Sequence, residues 1–74
     1  MKEDGSELLG IVRMAFARAI ECPTIPRWRS VSVMAGCAAV QMAAEGSLFV
    51  AAQLEGVADE ARRQMMALMP EEPK

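Results

Sequence analysis

The sequence predicts a small all-α protein of three helices: helix one, then a helical hairpin or one long broken helix, completed by self-association. Three observations predict it. Apolar residues recur at three- and four-residue steps in each segment, and no sustained run alternates with period two as a half-buried strand would. A ladder of small and apolar residues runs through the second half: Val33, Cys37, Val40, Ala44, Ser47, Ala51, Leu54, Ala58, Ala61, Met65 and Leu68. Its alternating four- and three-residue steps are those of a seam between helices packed lengthwise. Finally, 53% of the 74 residues are apolar, whereas so short a chain buries only about 60% of its unfolded surface. One domain spanning 1–74 is expected, with a partner covering the excess.

Helix one is expected over 6–21. Asp4 and Glu7 stand at capping-box spacing. Leu8, Leu9, Ile11, Val12, Ala15, Phe16, Ala19 and Ile20 recur as one apolar face, with Arg13, Arg18 and Glu21 opposite. Pro23 stops the helix. Cys22 to Pro26 reads as a turn, with Cys22 and Ile25 extended because each precedes a proline. The Pro23–Pro26 spacing suits a rigid connector better than an SH3 ligand.

Helix two is expected over 27–45 and has two apolar faces. One carries the ladder. The other holds Trp28, Ala35 and Met42, and Phe49 if the helix continues. Helix one is assigned to the Trp28–Met42 side. The ridge Ser32, Gly36, Ala39, Ala43 suits close helix approach.

Helix three is expected over 48–69, polar outside through Gln53, Glu55, Asp59, Glu60, Arg62 and Arg63. Asp59 and Arg63 stand at favourable i,i+4 spacing. Pro70 ends it, leaving a tail over 70–74. The junction Glu45-Gly46-Ser47 admits two readings. Gly46 as C-cap and Ser47 as N-cap make a hairpin, which is favoured. The unbroken phase of the ladder also fits one helix roughly 60 Å long.

The chain offers little chemistry. It has no histidine, the commonest general base and metal ligand. The four serines have no base partner, the five glycines form no phosphate loop, and Glu45 reads as a helix-end residue. Seven methionines and two cysteines could suit a soft metal, but methionine more simply fills cores and adaptable surfaces. No cofactor, no metal and no enzymatic activity are expected.

The formal charge of −2 disfavours a general nucleic-acid partner. Between Ser30 and Leu54 Glu45 is the sole charge, yet serines and glutamines dilute the stretch, so a membrane span is disfavoured. Met1 to Ser6 lacks a basic, then apolar leader. A cytoplasmic location is expected, and Cys22 and Cys37 read as buried free thiols in preference to a structural disulfide.

The function expected is therefore a non-enzymatic protein–protein interaction module: an adaptor, chaperone, inhibitor or regulator. Trp28 flanked by Arg27 and Arg29, and the methionines Met65, Met66 and Met69, are the candidate partner-binding residues. Val33, Cys37, Val40, Ala44, Ala51, Leu54, Ala58 and Ala61 are the candidates for self-association, a dimer being favoured. The alternatives are a small dimeric DNA-binding regulator using Arg27, Arg29, Arg62 and Arg63, and a small membrane-associated protein.

Overall fold

The computed structural model describes residues 6–70, all helix and connecting turn, with no strand among the described residues. Helix α1 spans Ser6–Glu21, α2 Ile25–Ala44 and α3 Leu48–Leu68. The expected Asp4 cap and the tail beyond Pro70 lie outside the described residues. No helix among those described is long and apolar enough to cross a membrane.

The α1–α2 turn differs from expectation. Ile25 is the first residue of α2 rather than an extended linker residue. Thr24 explains this: it is extended (φ −134°, ψ 156°), and its hydroxyl accepts a hydrogen bond from the Arg27 amide at 3.2 Å. That cap stabilises the first turn. Pro26 falls within that turn, where a missing N–H removes no helical bond.

Glu45-Gly46-Ser47 reverses the chain, so the hairpin forms. Gly46 sits at φ 85°, a left-handed conformation that disfavours any Cβ. The Ser47 amide donates to the Met42 carbonyl at 2.8 Å, and the Gly46 amide to the Ala43 carbonyl at 3.1 Å. This double bond pattern is a Schellman cap, which satisfies carbonyls the helix end would leave orphaned. Ser47 occupies the N-cap position of α3, but its hydroxyl makes no capping bond.

The reversal splits the ladder. In α3 its rungs Ala51, Leu54, Ala58 and Ala61 are buried. In α2 the rungs Val33, Cys37, Val40 and Ala44 are exposed. Helix α2 turns its other face inward, burying Trp28, Val31, Ala35, Ala38, Ala39 and Met42. That face, assigned from sequence to helix one, meets both neighbours. Val12 of α1 and Leu54 and Ala58 of α3 pack with Ala35, Ala38 and Met42. Ala19 of α1 and Ala61 of α3 pack with Trp28 and Val31. Phe49, expected on the Trp28 side had the helix run on, is 77% exposed beyond the turn.

The core is made largely of methyl groups. Seven of its twelve buried apolar residues are alanine, which lets helices approach closely. Each contributes little, since burial yields about 0.8 kcal/mol per methylene-sized group. Leu54, Val12 and Val31 are the largest side chains shut away completely or nearly so.

Candidate interaction surface

The site residues expected from sequence fall into two groups. Trp28 is only 2% exposed. Its ring meets Phe16 edge-on, with centroids 5.1 Å apart and planes at 73°, a favoured aromatic geometry. Its indole nitrogen is buried with no hydrogen-bond partner. Trp28 is thus a core residue, and its indole has no open face to give a partner. Met65 is half-buried and packs on the same cluster. Arg27 and Arg29 beside Trp28 remain in solvent, as do Met66 and Met69. The antiparallel hairpin therefore brings the Trp28 end and the methionine end together, but as a small core with an exposed fringe.

The self-association residues divide the same way. Ala51, Leu54, Ala58 and Ala61 pack into the chain's own core. Val33 and Val40 are 59% and 72% exposed, with Cys37 and Ala44 between and beyond them. Both cysteines are free, and both are exposed where buried thiols were expected. The cause is the split of the ladder, which leaves Cys37 on the outer side of α2. Cys22 lies in the turn before Pro23.

The outer face of α2 carries no charged side chain from Ser30 to Ala44. Arg27 and Arg29 bound it at one end and Glu45 at the other. Among the described residues neither Arg27 nor Glu45 makes an ion pair; the Glu45 carboxylate accepts only a long 3.4 Å bond from the Gln41 amide. On one flank the face continues into a shallow groove of about 300 Å³ between α1 and α2, lined by Ile11, Met14, Ala15, Arg18 and Met34.

Sequence reasoning missed Ile11 and Met14 as surface residues. Ile11 was placed on the inner face of helix one, yet Ile11 and Met14 are 51% and 61% exposed. For Ile11 a signal existed: the eight apolar positions of helix one cover a wider arc than a single packing contact closes. Leu48 and Phe49, at the start of α3, were likewise left open by the turn.

The charged groups lie elsewhere. On the outer face of α3, Arg62 pairs with Asp59 and Arg63 with Glu60, both at i,i+3. The i,i+4 pair Asp59–Arg63 does not form, because Glu60 takes the Arg63 guanidinium. The hydrogen bond from Arg63, aided by one from Gln64, holds the Glu60 carboxyl below its ordinary value, and the Arg63 guanidinium is raised by the same contact. Among the described residues no group of three or more histidine, cysteine or acidic side chains is gathered as a metal site would require. Compared with protein-family models, curated proteins and solved structures, the chain matches none.

Proposed function

We propose that the protein is an interaction module that binds a protein partner through the outer face of α2 and the adjoining α1–α2 groove. One observation carries this reading: the apolar distribution is inverted. Seven of twelve core residues are alanine, while eleven larger apolar side chains among the described residues are at least 37% exposed. Scattered exposed apolar residues are ordinary, but contiguous ones mark interaction surfaces. Val33 and Val40 stand on one uncharged helix face, and Met34, on its flank toward α1, joins Ile11 and Met14 at the groove. Such a face suits a partner helix laid along it, with large side chains at its centre.

The proposed binding role is that of an adaptor, inhibitor or other regulator, with no chemistry required of the surface. The test compares proteins captured from the native host by the wild-type chain and by a Val33→Glu, Val40→Glu variant of equal helicity. The reading predicts a protein retained by the first, lost by the second, and bound again as a purified pair. Identical capture by both would count against this surface.

A further inference from the structure

We infer that the outer face of α2 pairs with the same face of a second copy, the two helices running antiparallel about a two-fold axis between Gly36 and Cys37. The inference rests on the protein-binding reading above and names its occupant.

The first argument is charge. The face is neutral along its length, so a second copy meets no like charge on it. Its ends carry opposite signs. Arg27 and Glu45 stand about five helical turns apart and so share one flank of α2. When antiparallel helices face each other, equivalent flanks lie side by side. An axis between Gly36 and Cys37 then sets Arg27 of each copy within about one residue of Glu45 of the other. Parallel pairing instead sets equivalent flanks on opposite sides of the contact, so Arg27 of one copy and Glu45 of the other do not meet. Neither group has an ion-pair partner among the described residues to compete.

The second argument is shape. With that axis Val33 of one copy meets Val40 of the other, and Gly36 meets Cys37. Within the chain a Cβ added at Gly36 would find nothing within 4 Å, so internal packing does not require a glycine there. A facing helix would use that space, since small residues let helices approach.

The third argument is area. The face from Ser30 to Ala44 is about 22 Å long. Together with the Ile11 and Met14 flank, two copies would bury roughly 1,000 Å², where specific interfaces begin. A two-fold contact of this kind closes on itself, and its modest size suits a dimer in exchange with monomer.

The experiment is sedimentation of the full chain from low micromolar to submillimolar concentration, with charge reversals. Arg27→Glu and Glu45→Arg each suit the helix end they occupy, so both variants keep the fold. Each alone is expected to weaken the dimer about tenfold by setting like charges across the axis; the double variant restores it. Gly36→Leu, whose Cβ meets nothing within 4 Å inside the chain, is expected to abolish dimerisation at unchanged helicity. A wild-type chain that stays monomeric throughout overturns the pairing, while the capture test above still judges the wider reading. A dimer indifferent to the reversals, or to Gly36→Leu, also overturns it.

Discussion

Single positions separate two kinds of residue that look alike in the sequence. Gly46 and Gly36 both interrupt helical pattern, but for different reasons. Gly46 holds a left-handed turn, so Gly46→Ala is expected to destabilise by about 1–2 kcal/mol. Gly36 lies mid-helix with open space around it, so Gly36→Ala is expected to stabilise by about 0.5–1 kcal/mol. Thermal melts of the two variants should move in opposite directions. Trp28 makes a third case. Its removal as Trp28→Ala is expected to cost about 3–5 kcal/mol. Trp28→Phe should cost far less, because it also removes a buried N–H with no acceptor, itself a burden of about 1–3 kcal/mol. Urea denaturation checks this. Equal losses for both variants would mean that the indole nitrogen makes a bond after all.

At the scale of elements, local chemistry decides where helices begin and how firmly their surfaces are tied. Thr24→Ala is expected to cost about 1 kcal/mol through loss of the α2 cap. On α3, Glu60 has a lowered carboxyl pKa, chiefly from its Arg63 hydrogen bond. Its contribution is therefore present above the ordinary carboxylate value and is lost as pH falls through the lower folded-state value. Both partners are at the surface, so the effect is small and screened by salt. The wild-type chain should lose more stability between neutral and strongly acid pH than Glu60→Gln does, and the difference should shrink at high salt. Equal acid sensitivity would rule out the contribution.

Most of this level was legible in the sequence. Pro23, Pro26 and Gly46 punctuate the chain, and α1 ends and α3 begins where periodicity places them. Thr24 was not read as a cap, because the proline two residues later argued for an extended Ile25. The surface was legible only in part. Periodicity identifies apolar faces but does not say which neighbour covers each. Helix α2 has two such faces, and the turn at Gly46 determined which one met α3. The ladder's even spacing concealed that choice. Trp28 posed the same ambiguity, since a large aromatic serves equally well as core or as interface anchor.

For the whole molecule, the consequence is a sharp asymmetry between two halves of one sequence pattern. Val40 and Leu54 are rungs of the same ladder, yet Val40 is 72% exposed and Leu54 fully buried. A chain with an alanine-rich core has few large side chains to lose, and Leu54 is the bulkiest of those fully enclosed. Leu54→Ala is therefore expected to cost about 2–5 kcal/mol, a large share of the roughly 3–5 kcal/mol that a core of this size supplies. Val40→Glu, turned to solvent, should change monomer stability by no more than about 0.5 kcal/mol. Circular dichroism melts at low concentration, where association does not contribute, measure both. Loss of helicity in Leu54→Ala beside an intact Val40→Glu is the expected result. If Val40→Glu unfolded the dilute chain as readily, its face would be required for folding itself. The seam would then belong to an obligate assembly, and the open face of α2 would not exist in a free monomer.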